Sequence, residues 1–312
     1  MPASKWCRTR SLHIFLTLFA LFFICSSAAQ QAPAAPKFVV VKPVANMYRQ
    51  PSEDAGVISQ AIYATNVISA EEQNTSTLPG WVKVRTPDDY AGWMQTSTLR
   101  PLAEKAYATE GSVVRVAQFS ANIYREPDVT LHAPLVTAPW ESRLEVLDEK
   151  VADGSRWLKV YLPDDRIGFV QSGDVSANFS GLTIEQTIAL ARKFLGVTYT
   201  WGGASSFGYD CSGFMQMLVR QRGALMPRDA YMQAAWSGVV AVERKDLQPG
   251  DLLYFGSRPD KITHTGMYIG NGEFIHDTTH THPVIQISRL DDMPWTKLLV
   301  AARRLKMEAP KK

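Results

Sequence analysis

The chain has 312 residues, 46% of them hydrophobic and 20% charged, with 33 basic against 30 acidic side chains and a formal charge of +3. That length suits two or three small domains. The near balance of charge, with no basic run, excludes a surface built to grip nucleic acid, and three cysteines exclude a disulfide-dense scaffold.

The first 29 residues read as a secretory signal peptide. Lys5, Arg8 and Arg10 make a basic start, and residues 12–24 form an apolar run too short for a convincing membrane span. Ser27-Ala28-Ala29 then fits a small-residue cleavage site. A retained N-terminal anchor is the alternative. A lipoprotein would need small residues before Cys25, where Phe22, Phe23 and Ile24 stand. Cleavage after Ala29 removes Cys7, Cys25 and three basic residues, leaving 30 charges of each sign. The remaining chain is then expected to be secreted, periplasmic or extracellular, with no stable membrane insertion. Its one thiol, Cys211, has no internal partner for a disulfide.

Residues 30–37 are a Pro/Ala linker. Beyond it lies an internal repeat with a constant offset of 76. Asn46-Met47-Tyr48-Arg49-Gln50-Pro51 matches Asn122-Ile123-Tyr124-Arg125-Glu126-Pro127, and Trp81-Val82-Lys83-Val84 matches Trp157-Leu158-Lys159-Val160. Pro87-Asp88-Asp89, Gly92 and Gln95 match Pro163-Asp164-Asp165, Gly168 and Gln171. So many matches at one offset indicate two copies of one module. Each copy alternates apolar and polar residues at a period of two and turns at Pro-Asp-Asp, so both are expected to be small all-β barrels, over 38–104 and 112–178. The late turn followed by Gly-Trp/Phe-x-Gln resembles bacterial SH3-like domains.

From residue 180 to 305 the texture becomes α+β. Thr183 to Gln186 fits a capping box, and Ile184, Ile188, Leu190, Ala191, Phe194 and Leu195 lie on one helical face that ends at Gly196. A Gly-rich loop leads to a second helix starting at Cys211, with Asp210 placed as its N-cap. The amides at the start of that helix are expected to favour the thiolate. "LLYF", "THTGMYIG" and "EFIHDT" read as strands, the last two joined around Asn271-Gly272. A three-residue loop, Gly270-Asn271-Gly272, puts Gly266 opposite His276. His264 and His276 then share one face as diagonal neighbours. A two-residue loop would put them on opposite faces.

A nucleophilic cysteine needs a base, and two histidines in that register suit a Cys211–His264–His276 relay. Because His276, His280 and His282 lie close together, a metal site is the competing reading. No second cysteine or HExxH motif accompanies them, so no metal or organic cofactor is expected.

The stretches "TYTWGG", "DCSGFMQ", "QPGDLLYF" and "HTGMYIGNGEFIH" closely resemble NlpC-type cysteine peptidases, papain-like bacterial cell-wall hydrolases. With two SH3-like modules in front, the whole chain resembles γ-D-glutamyl-L-diamino acid endopeptidases of the dipeptidyl-peptidase VI kind. The resemblance implies an enzyme cutting peptidoglycan-derived peptides, L-Ala-γ-D-Glu-diamino acid, through a thioester at Cys211; the secreted chain is expected to be a monomer. It makes Cys211, His264 and His276 catalytic, Tyr199 an oxyanion donor, and Asp210 and Ser212 substrate contacts. It further implies that Arg228-Asp229 form a loop whose aspartate holds a free N-terminal amine, with Tyr90 of the first module closing that end. Ala230 departs from the serine the family often has there. Amidase or acyltransferase chemistry on the same residues, or plain wall binding, are the rival readings.

Overall fold

The computed structural model describes residues 38–70, 79–103, 105–147 and 155–306, so the expected signal peptide and linker lie outside the described residues. The chain begins with seven strands: β1 (Phe38–Val40), β2 (Val44–Tyr48), β3 (Val57–Ile62), β4 (Asn66–Ser69), β5 (Trp81–Arg85), β6 (Ala91–Gln95) and β7 (Leu99–Pro101). Their order in the sheet is β3-β2-β6-β5-β4-β1-β7. Seven more follow: β8 (Val113–Val116), β9 (Ser120–Tyr124), β10 (Val136–Pro139), β11 (Arg143–Val146), β12 (Trp157–Tyr161), β13 (Ile167–Gln171) and β14 (Val175–Ser176). Their order, β10-β9-β13-β12-β11-β8-β14, repeats the first strand for strand.

Local chemistry explains why both copies fold alike. Asp89 and Asp165, third in their Pro-Asp-Asp turns, both take left-handed φ values, 64° and 68°; short polar side chains tolerate this best among non-glycine residues. Gly92 and Gly168 follow. A Cβ on Gly92 would come within 3.2 Å of Met47, and one on Gly168 within 2.6 Å of Ile123. Met47 and Ile123 are themselves a matched pair, so each module seats one buried apolar side chain over its glycine.

The third region starts with α1 (Ile184–Lys193), whose Thr183 and Gln186 form the expected capping box. A two-strand ribbon, β15 (Ala204–Ser205) and β16 (Gly208–Tyr209), leads into α2 (Cys211–Gln221), followed by α3 (Ala230–Ala235). A six-stranded antiparallel sheet has the order β17-β22-β18-β19-β20-β21. It consists of β17 (Val239–Val242), β18 (Leu252–Arg258), β19 (Lys261–Gly270), β20 (Glu273–Thr278), β21 (Val284–Arg289) and β22 (Leu299–Leu305), with the short α4 (Trp295–Leu298) before the last strand. One face, with Leu252, Tyr254, Met267 and Ile275, packs under α1 and α2. The other, with Phe255 and Phe274, is covered by Trp295.

Direct bonds fasten this region to both modules. Gln216 in α2 donates to Asp88 at 2.8 Å, and Arg228 to Ser59 at 3.0 Å. On the other side Arg220 makes a two-point contact with Glu141, at 2.9 and 2.6 Å.

Candidate active site

Asp210 caps α2. Its Oδ1 accepts from the Gly213 amide at 2.7 Å, and its Oδ2 from the Gly202 amide at 3.0 Å. Gly213 is held against the Gly-rich loop, since a Cβ there would lie 2.2 Å from the Gly203 carbonyl oxygen. The cationic partner of Asp210 is a residue of the protein. Arg228, 1% exposed, donates from Nη1 to Oδ1 at 3.0 Å and from Nη2 to Oδ2 at 2.7 Å. Its other donors reach Ser212 Oγ, the Gly203 carbonyl and Ser59. Arg228 therefore locks Asp210, Ser212 and the first β-module together. Ser212 completes the cluster by donating to Asp210 at 3.2 Å.

Cys211 stands at the first position of α2, buried, with backbone hydrogen bonds from Thr265 and Ser212. The bond from Thr265 places the sulfur beside the His264–Thr265 stretch of β19. The thiol does not follow the expectation of a lowered pKa. Burial first, and the charge of Asp210 second, push it up to about 12; the helix-start amides do not overcome the missing water.

The two histidines do share one face. Met267 pairs with Ile275 and Tyr268 with Phe274, the register expected from the sequence. Its origin differs from the expected three-residue loop. Gly270 pairs with Glu273 across a two-residue Asn271-Gly272 turn, and the register shifts between Tyr268 and Gly270. Asn271 and Gly272 have φ of 54° and 75°, as the mirror-image hairpin turn requires. A bulge, rather than a longer loop, thus absorbs the extra residue.

His264 Nε2 lies 2.8 Å from His276 Nδ1, and His276 Nε2 lies 3.0 Å from Ser288 Oγ on β21. The protonation pattern that leaves His264 Nδ1 as a basic atom satisfies the whole row: His264 donates to His276, and His276 donates to Ser288. Trp295 packs on both rings, at 5.3 and 4.8 Å. His276 is fully buried, and burial holds its pKa down to about 2, with the charges of His264 and His280 adding to it. His264 is half-buried, and burial lowers its pKa to about 4. At neutral pH both the imidazole and the thiol are uncharged.

Tyr199 is held as a phenol, its pKa raised by burial and then by the nearby Cys211, Asp210 and Asp277. Tyr90, from the first module, donates to Asp229 at 3.1 Å. Asp229 precedes α3 without capping it. Burial raises its pKa, while Tyr90 and Arg228 draw it back. The structure thus brings together Cys211, Tyr199, Asp210, Ser212 and Arg228 around the start of α2, links His264 to His276, and joins Asp229 to Tyr90 of the other module. His280 meets the Trp295 ring edge-on, at 5.4 Å, and no metal-holding group of His, Cys, Asp or Glu occurs among the described residues.

Two site residues were not foreseen. Ser288 ends the histidine row, but only the pairing of β20 with β21 reveals it. Asp277 is fully buried, and neither carboxyl oxygen has a side-chain partner. Burial, then Asp210, pushes it up to about 8, so it carries a proton at neutral pH; the Thr278 amide offsets this only in part. A polar residue directly after His276 was its only sign in the sequence.

The NlpC/P60 family matches residues 196–304. A γ-D-glutamyl-L-lysine dipeptidyl-peptidase of Bacillus subtilis is 31% identical over 266 residues, covering 81% of this chain and 84% of the relative. One of the same name from Bacillus cereus is 30% identical over 239 residues, covering 72% and 69%. The crystal structure of an NlpC/P60 family protein from Bacillus cereus superimposes with a TM-score of 0.72 at 22% identity, over 86% of this chain and 99% of that one. This last likeness speaks for the fold.

Proposed function

Since the chain belongs to the NlpC/P60 family of cysteine peptidases, which are hydrolases, we propose that it cuts the γ-D-glutamyl–diamino acid bond of peptidoglycan stem peptides bearing a free N-terminal L-Ala. Cys211 attacks the γ-carbonyl of D-glutamate, and its proton passes to His264 Nδ1. The tetrahedral oxygen is held by the Cys211 amide and the Tyr199 hydroxyl. His264 returns the proton to the departing amine of the diamino acid. A water, activated by His264, then hydrolyses the γ-D-glutamyl thioester and frees L-Ala-D-Glu and Cys211. His276, braced by Ser288, holds His264 in the tautomer that can accept.

One observation carries the finer reading: Tyr90 meets Asp229 across the module boundary, at 3.1 Å. A carboxylate and a phenol in one place suit an ammonium group. An amine of the incoming peptide held there limits how much chain can precede the cut bond. The names of the Bacillus relatives support the same bond type. We read the two β-modules as SH3-like, residues 1–29 as an export signal, and the exported enzyme as a monomer without cofactors. The described residues include no helix long and apolar enough to cross a membrane.

The test uses residues 30–312, and the Cys211→Ala variant, with L-Ala-γ-D-Glu-meso-diaminopimelate and its N-acetyl form, read by mass spectrometry. Release of L-Ala-D-Glu by the wild type alone, suppressed by acetylation, is the expected result. Equal cleavage of both peptides would remove Asp229 and Tyr90 from substrate recognition. No cleavage of either would sink the substrate assignment.

A further inference from the structure

The two β-modules are copies, and where they differ the second displays what the first leaves room for. In the second module Arg156 lies over the Trp157 ring, 5.4 Å from its centre. Its Nε and Nη2 both donate to Gln171 Oε1, at 3.2 and 3.0 Å. Asp128, in the loop after β9, is held below the usual carboxylate range first by its bonds from Thr130 and also by the charge of Arg156. This is a cation seat made of an aromatic face and a carbonyl acceptor, with a carboxylate in its neighbourhood.

Seventy-six residues earlier the first module keeps the aromatic ring and the amide as Trp81 and Gln95. The arginine is replaced by Gly80, which has a φ of 83° and around which a Cβ would meet none of the described residues within 4 Å. The loop after β2 supplies a carboxylate, Glu53, to which the Gln95 amide donates. That contact leaves Gln95 Oε1 as the acceptor, the atom whose counterpart in the second module takes both arginine bonds. Among the described residues an open groove of about 480 Å³ results, lined by Glu53, Gly80, Trp81 and Gln95 together with Pro51 and Ser97.

We propose that this groove is a binding site for a peptide-borne cation, a primary ammonium or guanidinium, seated on Trp81 with Gln95 Oε1 as acceptor and Glu53 as counter-charge. Arg156 is the built-in likeness of the ligand. On the proposed function, the carrier is a stem peptide whose diamino acid has an unlinked side-chain amine. The site is separate from the amine contact at Tyr90. Trp81 and Gln95 pair at one end of the β5–β6 hairpin, and Arg85 and Ala91 at the other, next to Tyr90. Four residue steps along the strand separate the ends, about 13 Å. A groove this open binds weakly, with a dissociation constant on the order of millimolar.

Tryptophan-labelled Cys211→Ala protein allows the test by NMR, with the Trp81 indole signal identified through Trp81→Phe. Ethylammonium and ethylguanidinium, added at constant ionic strength, should shift that signal saturably. Neutral N-ethylurea should not, and Glu53→Gln should weaken the response about fivefold or more. A Trp81 signal indifferent to the cations, or equally responsive to the urea or in Glu53→Gln, overturns the site. L-Ala-γ-D-Glu-L-Lys is then compared with its Nε-acetyl form. A stronger shift from the free amine supports the stem-peptide carrier, and equal shifts overturn it. Cleavage of the tripeptide by otherwise wild-type Glu53→Gln should stay within about twofold of wild type. Absence of cleavage by the wild type itself would strike the proposed reaction and leave the cation result standing.

Discussion

Ser288 and Asp277 are the residues whose roles are most sharply exposed to measurement. Removing the Ser288 hydroxyl leaves His276 Nε2 without its partner and loosens the tautomer that directs His264. Ser288→Ala should lower kcat on the order of tenfold, the worth of about one hydrogen bond, with KM little changed. A KM effect alone would contradict a positioning role. The pH profile belongs to His264. Its pKa of about 4 means that kcat/KM for the free enzyme should be level through neutral pH and fall only as the pH drops through that value. An acid limb near 6.5 would show a solvated imidazole instead. Asp277 acts on stability. Its folded pKa, about 8, lies above the ordinary 3.8, so the native state holds a proton that the unfolded chain has lost. Stability should therefore fall between about pH 4 and 8, with one proton contributing roughly 1.4 kcal/mol per pH unit, and level off above. Urea midpoints across that range should show Asp277→Asn relieved of this slope.

At the scale of the element, the start of α2 is the most constrained stretch. It must present Cys211 while passing close to the Gly203 carbonyl. Gly213→Ala, harmless in an ordinary helix, should destabilise by about 1–3 kcal/mol here, because a methyl group has nowhere to go. A thermal midpoint equal to wild type would mean the loop yields. This helix was legible in the sequence because its signals are local: Asp210 before it, small residues at its start, and an apolar face. The β19–β20 hairpin was legible only in part. The assumed three-residue loop led to the register that unites the histidines, whereas the turn came out one residue shorter and a bulge restored that register. A bulge and a longer loop give the same register beyond the turn, and the Gly-Asn-Gly sequence satisfies either. Ser288 was hidden for a different reason. Its value depends on β21 pairing with β20, which no local pattern near residue 288 announces.

On the scale of the whole molecule, a constant 76-residue offset was enough to read the duplication, and the identical strand orders follow from it. Of the contacts between the copies and the third region, the resemblance gave only Tyr90 at the Arg228-Asp229 loop; the rest depend on where the copies have diverged. The first uses Asp88 to reach Gln216 at the middle of α2, and Ser59 and Tyr90 to reach the Arg228-Asp229 loop. The second uses Glu141 to hold Arg220 at the far end of α2. Burial lowers the tendency of Arg220 to hold its proton, and the Glu141 carboxylate more than restores it. Breaking a fully buried ion pair costs about 3–5 kcal/mol. Arg220 is one-third exposed at 33%, so solvent takes up part of the loss, and Glu141→Gln should cost about 1–2 kcal/mol. Nine residues of helix, about 13 Å, separate this contact from Cys211. The urea midpoint should thus drop while kcat/KM stays within about twofold. If activity falls in step with stability, the second module also sets the position of α2, and its contact with Arg220 is part of how Cys211 is aimed.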